Sequence, residues 1–515
     1  MEATLFQTLV QIESNSLPQA PKRAVPRTYP AVPQRDNDIE LKSLTRVSVA
    51  PTPPGVSTPH GERDLEMSAP NTPGESLSDP MSTFEILPGL TDPPMNKFRF
   101  ASCCFQNFLS GINDSAPGAL IPFIETYYNI GYATVSLIFI GNALGYIAAA
   151  PFVDAIRMRL GRAKTCSLAS ICMALGFLPL LAAAPFPAIV VGYFFIGFGS
   201  AVNQAIGNGR APGILSFGDA NFLSVKVFTA NLKNGTVLLG VLHGSYGIGG
   251  IIGPLIATSI VSNLGANAWN RFYALVVSIA VVNAAFYLWA FWNYENETAA
   301  TETTLAVSSS GGQTTTAPRA ELSAMLRAFK SRVVLLGATF IFAYQGAEVS
   351  ISGWVISFLI ATRNGDPSYI GNVTSGFWGG ITLGRFVLSP IGARFGEKRF
   401  VYFLTVGAAV FQLLVWFVPN IIGEAVSLAV VGLLLGPIYP CAATVFTRNL
   451  SRQEQVSGLG VISAFGSSGG AVAPFTTGLL AQAAGTFVLH PIAIALFGAM
   501  LVCWFILPTT RKRTE

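Results

Sequence analysis

The sequence predicts an all-α membrane protein: twelve transmembrane helices in two pseudo-symmetric six-helix halves, preceded by a disordered amino-terminal tail. Three observations predict it. First, 51% of the 515 residues are hydrophobic and only 11% are charged, with a mean hydropathy of +0.52. A soluble domain carries about 25% charged residues, so the missing polar surface has to face lipid. Second, apolar runs of about 20 residues, the length that crosses a bilayer, recur roughly a dozen times after residue 95. Third, Lys and Arg fall on alternate connections: 21 flank one side, against only Arg271 and Arg363 on the other. That bias predicts both termini in the cytoplasm.

Residues 1–95 hold fifteen of the 32 prolines, with many Ser and Thr and few aromatics. Such a stretch cannot bury enough apolar surface to offset its ordering entropy, so it reads as a disordered cytoplasmic tail. Glu2 stands where a signal peptide would be basic, so no cleavable leader is expected and the first transmembrane helix serves for insertion. The first half, 96–293, has helices expected at 98–124, 132–154, 165–184, 187–209, 236–262 and 271–293, with a long polar interruption at 210–235. A Thr-, Ser- and Glu-rich cytoplasmic linker, 294–331, follows. The second half, 332–508, has helices expected at 332–361, 369–391, 400–418, 423–447, 457–483 and 487–508, and 509–515 is a cytoplasmic carboxy terminus.

The halves repeat one another. GSYGIGGIIGP in helix 5 ends at Pro254, and SAFGSSGGAVAP in helix 11 ends at Pro474. With these prolines aligned, Gly249 meets Gly469, Gly250 meets Gly470 and Gly265 meets Gly485, while Gly253 falls opposite Ala473. Helix 2 with its loop (144–164) parallels helix 8 with its loop (383–399), each ending in a basic cluster. Small residues at these intervals let helices pack closely, so Gly249, Gly253, Pro254 and Pro474 are read as packing positions.

An ionisable residue at mid-bilayer costs about 2.5–3.5 kcal/mol on insertion scales and survives only beside a partner or a cavity. Asp114 lies near the middle of helix 1, next to Asn113, with Gln106 and Ser110 on the same face. Glu348 lies in helix 7, the matching helix of the second half, with Tyr344 and Ser352 a turn either side and Gln345 and Trp354 close by. Asp114 and Glu348 are therefore the candidate proton carriers. Amides suit ligands that need donors and acceptors together. Asn113, Asn203, Gln204, Asn208, Gln345, His243, Tyr344 and Trp354 are the candidate solute contacts. Arg385 in helix 8 lies close to the basic side, which suits a conformational role. The six cysteines lack metal-ligand spacing, and no metal, cofactor, nucleotide loop, catalytic constellation or nucleic-acid interface is expected.

With these residues in view, the chain resembles the major facilitator superfamily over about residues 98–508, and within it the fucose-permease-like proton symporters of the fungal type. The segments that carry the resemblance are GINDSAPGALIPFIETYY (111–128), HGSYGIGGIIGPLIA (243–257), YQGAEVSISGWVISF (344–358) and SGFWGGITLGRF (375–386). The resemblance implies a central cavity between the halves, alternating access, and a gate at the loop between helices 2 and 3. There Asp154, Gly161 and Arg162 resemble part of the family signature, with about four extra residues between the Asp and the Gly. Helix 4 departs from fucose permeases by offering amides in place of a carboxylate. The expectation is a monomeric, non-enzymatic carrier of protons and a small polar solute such as a sugar, in the cell membrane or, alternatively, a vacuolar one. Proton-driven export is a second reading, because Gly249, Gly253 and Pro254 fit most of a spacing associated with drug antiporters. A nutrient receptor is a third.

Overall fold

The structure is a computed structural model that describes residues 89–149, 151–205, 228–229, 232, 235–297, 330–450 and 452–508. The expected tail, the central linker and the carboxy terminus lie largely outside the described residues. Twelve long helices occur among the described residues: α1 (Asn96–Tyr128), α2 (Leu137–Ala149), α3 (Val153–Leu181), α4 (Phe186–Ala205), α5 (Gly235–Leu264), α6 (Phe272–Phe291), α7 (Arg332–Arg363), α8 (Asn372–Val387), α9 (Glu397–Phe417), α10 (Ile421–Leu435), α11 (Arg452–Ala484) and α12 (Leu489–Ile506). Counting the short helices that extend them, ten stretches are long and apolar enough to cross a membrane. The other two are α1, diluted by Arg99, Gln106, Asn113 and Asp114, and α8, only 16 residues long. These same two helices carry much of the polar centre described below.

The starts of odd-numbered helices and the ends of even-numbered ones gather on one side, the basic face; the opposite side is called the far face. The repeat read from the sequence is visible in the backbone. Asn129 and Asn364 cap α1 and α7 in the left-handed region, at φ 50° and 55°. Gly265 and Gly485, at φ 91° and 98°, turn α5 and α11 into short 3₁₀ segments, Ala266–Arg271 and Thr486–Val488. Gly161 and Gly396, at φ 74° and 91°, occupy the matching basic-face connections. Glycine adopts such values without strain and Asn is one of the few other residues that does so readily, so the three pairs mark equivalent bends.

Four helices differ from the expected spans, one of them the eighth, expected at 369–391 and divided at Gly371 and Leu388 into Pro367–Ile370, α8 and Ser389–Phe395. α3 begins near residue 153 rather than 165: the stretch rich in Arg and Lys is helical, bending at Gly161, and lies along the basic face with Met158 76% exposed. The expected second helix is interrupted after a one-turn segment, Tyr132–Val135. The expected tenth helix divides into α10 and Ile438–Asn449 around Pro437, which has no N–H to continue the ladder.

Within each half, glycine sets the closest contacts. A Cβ on Gly249 of α5 would overlap the Phe108 carbonyl of α1, and one on Gly469 of α11 would overlap the Phe342 carbonyl of α7, so the aligned pair plays the same part twice. Gly253 lies against Ser115 and Ile112 of α1. Pro254 and Pro474 sit inside α5 and α11, and the Pro474 carbonyl accepts a 2.8 Å hydrogen bond from the Trp354 indole.

Between halves, α5 and α8 touch along much of their length, from Gly244 against Phe386, through Gly247 against Thr382 and Gly250 against Trp378, to Gly371 against Thr258. Ser262 at the far end of α5 meets the Ser368 carbonyl. A second seam forms on the far face, where Gly478 of α11 packs against Tyr132, Ser136 and Trp354, and Gly131 against Gln482. Two basic-face ion pairs each stay inside one half: Arg99 with Glu297 at 2.8 Å, and Arg448 with Glu397 at 3.0 Å.

Candidate functional site

Asp114 is the nineteenth residue of the 33-residue α1, about 27 Å along it at 1.5 Å per residue. It is exposed, although its carboxylate points between helices: Oδ2 accepts from the Tyr246 hydroxyl of α5 at 2.9 Å and Oδ1 from Asn113 at 3.0 Å. An acid open to solvent at mid-helix, and pointing inward, faces a hollow between the halves. Ordinary packing holds its partner in place. Gly111, three residues before Asp114, lies against the Tyr246 backbone so tightly that a Cβ would overlap it.

From Tyr246 the contacts cross to the second half. Its ring packs edge-on to Trp378 of α8, centroids 5.9 Å apart, and the Trp378 indole donates to Ser352 of α7 at 2.9 Å. One turn before Ser352 is Glu348, only 7% exposed, and Arg385 of α8 approaches it at 3.7 Å. The buried Tyr344 stands beside this loose ion pair, its hydroxyl without a hydrogen bond of good geometry. The result is a polar line from α1 through α5 and α8 to α7. It carries two acids and one cation.

The residues expected from sequence separate into groups. Asp114, Asn113, Glu348, Tyr344 and Arg385 belong to this line. Arg385 was expected at the basic side and instead compensates Glu348. Half-buried His243 lies one turn before Tyr246 on α5, and half-buried Gln345 faces Gly466 and Gly470 of α11. Asn203 does not reach the hollow. It is fully buried and donates to Ser170 at 3.0 Å. That bond belongs to an amide cluster in which Asn283 donates to Gln106 at 2.5 Å, tying α1, α3, α4 and α6 together. The polar face expected on helix 1 is thus divided by depth: Gln106 serves this cluster, and Asn113 serves the hollow. Trp354 is also apart, 1% exposed in the far-face seam. The side chains of Gln204 and Asp154, and all of Asn208, lie outside the described residues.

The expected gate elements Gly161 and Arg162 pack within the first half. The Arg162 N–H donates to Glu295 at 2.6 Å, and both Arg162 and Arg99 stack over Tyr294, at 4.5 and 4.8 Å. This cluster ties α1 and α3 to the end of α6. Among the described residues no group of three His, Cys, Asp or Glu side chains is placed to hold a metal. Sequence reasoning passed over Tyr246, Trp378 and the pairing of Ser352. The available signal was their position: each lies in a segment that carries the family resemblance.

The model of the Major Facilitator Superfamily matches residues 103–364 and 338–515. The chain is 24% identical over 442 residues to Bypass of stop codon protein 6 of Saccharomyces cerevisiae, covering 82% of this chain and 84% of that one. Among solved structures it is similar to the E. coli fucose:proton symporter FucP, with a TM-score of 0.52 at 16% identity over 80% of this chain and 98% of that one. It is also similar to the nucleoside transporter NupG, with a TM-score of 0.59 at 12% identity over 79% and 98%. Two related six-helix bundles around an acidic centre, matched by one family over residues 103–515, make this chain a multi-pass membrane protein belonging to the Major Facilitator Superfamily.

Proposed function

We propose that the protein is a proton-coupled carrier that takes up a small, neutral, hydroxylated solute by alternating access across the cell membrane, acting as a monomer. The observation that carries this reading is the solvent-open Asp114 at mid-membrane, joined through Tyr246 and Trp378 to the second half. Charge balance gives it a mechanism. Arg385 offsets Glu348, so the centre is neutral when Asp114 holds a proton and carries one excess negative charge when it does not. Sealing an uncompensated charge away from water costs several kcal/mol. The carrier therefore closes around its solute most readily with Asp114 protonated, and it releases the proton where the hollow meets water again.

The far-face seams favour a hollow that opens toward the basic face, which the charge bias assigns to the cytoplasm. Neutral donors and acceptors beside Asp114, among them Asn113 and the half-buried Tyr246, suit a sugar, whose hydroxyls need both. The solutes in the names of the two similar solved proteins, a fucose and a nucleoside, both contain a sugar ring. The Gly249, Gly253 and Pro254 spacing that suggested export has a sufficient cause in the packing of α5 on α1.

The test is uptake of labelled sugars and nucleosides into proteoliposomes with and without an imposed proton gradient. Asp114→Asn and Glu348→Gln should each abolish pH-driven accumulation, and Asp114→Asn should retain solute counterflow. Unchanged coupling in Asp114→Asn would sink the proposal.

A further inference from the structure

Eleven residues past Asp114, α1 carries a second acid, Glu125. Eleven residues are close to three helical turns, so the two carboxyls leave the same side of α1 about 16 Å apart along it. The helix is plugged between them. Gly118 lies against the Ser352 carbonyl of α7 with no room for a Cβ, and Leu120 and Ile121 are fully buried. Asp114 belongs to the hollow on one side of this plug, and Glu125 belongs to the far-face seam on the other.

The seam closes around one oxygen of that carboxyl. Glu125 is half-buried overall, but its Oε1 is buried and has no hydrogen-bond partner. The carboxyl is close enough to act electrostatically on the Tyr132 phenol, whose ring packs edge-on to Trp354 at 5.8 Å and whose carbonyl lies against Gly478. Gly118 and Glu125 are seven residues apart and share a face, and in the turns of α7 that follow Ser352 the apolar Val355, Ile356 and Leu359 are all buried. From α11 the neutral Gln482 reaches Gly131, and on its own helix the neighbours are Tyr127 and Tyr128, both packed edge-on to Trp269. Among the described residues no cation and no second acid acts on Glu125; the titratable group that faces it is the Tyr132 phenol.

An ionised oxygen left without a partner in such surroundings is costly, whereas a neutral carboxyl is tolerated. When the halves part on the far face, the same group stands in water and ionises freely. We infer that Glu125 is a second proton-binding site, built into the far-face seam: closing the seam takes up a proton there, and opening it releases one. The site is separate from the Asp114 centre and does not depend on that centre's role. The sign follows from linkage. The closed state binds the extra proton, so lowering the pH favours closure, and one proton changes the closed-to-open ratio by at most about tenfold per pH unit.

The test uses the full-length protein in lipid nanodiscs, cysteine-free apart from spin labels at Asn267 and Ile422. Both are exposed on the far face, one in each half. Double electron–electron resonance distances are collected from pH 5 to 9. The parent should shift toward the shorter distance as pH falls. Glu125→Gln fills the same space without ionising, so it should stay at the shorter distance throughout. Glu125→Asp should restore the pH response, and Asp114→Asn should keep it. A parent with no pH response, a Glu125→Gln profile that matches the parent, or a response lost in Asp114→Asn but kept in Glu125→Gln each overturns the inference.

Discussion

The side chains that decide the behaviour of the centre are few, and Tyr246 is the one that joins the halves. Its hydroxyl donates to Asp114 while its ring rests on Trp378. A hydrogen bond to a charged group is worth about 1.5–3 kcal/mol. Tyr246→Phe keeps the ring contact and removes the donor. It should lower proton-driven uptake about tenfold or more while leaving the amount of folded protein in the membrane unchanged, measured as initial rates normalised to the fluorescence of a fused reporter. Uptake at the parent rate would show that the contact is incidental. Asp114 and Glu348 were legible because a carboxylate in an apolar run has so few explanations. Tyr246 was not, because tyrosine is unremarkable in a membrane helix and its partner is 132 residues away. Asn203 and Trp354 were misplaced for a related reason. An amide or an indole has the same polar atoms whether it meets solute or a neighbouring helix, and only the fold shows that Asn203 meets Ser170 and Trp354 meets the Pro474 carbonyl.

Helices here are positioned by what their glycines lack. Gly249 and Gly469 admit the backbones of α1 and α7, and the pairing of these two positions was legible because the repeat aligned them before any contact was known. Forcing a side chain into such a contact moves backbone, which typically costs about 1–3 kcal/mol and can cost more. Gly249→Leu should therefore lower the melting temperature of the purified protein by several degrees, followed by intrinsic fluorescence in detergent. Gly498→Leu is the control: a Cβ there meets nothing within 4 Å, and leucine is among the better helix formers, whereas glycine is about 0.8–1 kcal/mol worse than alanine. Equal losses in both variants would mean that bulk, not the α1 contact, is being measured. The breaks in the expected second and tenth helices were less legible, because hydropathy averages over about 20 residues and passes across Pro437 and the turn at Ser136. The early start of α3 was hidden by its charges, which suit a helix lying on the basic face as well as they suit a loop.

For the whole molecule, the arrangement of seams states which way the two halves stand. They meet across the far face at Ser262 with Ser368, Gly371 with Thr258, and Gly478 with Tyr132 and Ser136. The basic-face ion pairs bind each half to itself. Charge alternation in the sequence could orient the halves relative to the membrane, but a single sequence must fold into every state of the cycle and so could not indicate which state is closed. If solute reaches the centre by parting of these seams, pinning one of them should stop the cycle. Ser262 and Ser368 are the position to pin, because they lie at the end of the α5–α8 contact where separation is greatest when the halves rock. A Ser262→Cys, Ser368→Cys pair, in a background where the six native thiols (all free) are replaced, should form a disulfide under mild oxidant. Uptake should fall to the level of empty vesicles, and a reducing agent should restore it. Each single variant should be indifferent to oxidant, and labelling of a thiol placed at the basic-face mouth of the hollow should persist in the oxidised pair, since that side stays open. Full-rate uptake by the cross-linked protein would mean that the far face never parts there, and that the hollow around Asp114 fills and empties by a single entrance.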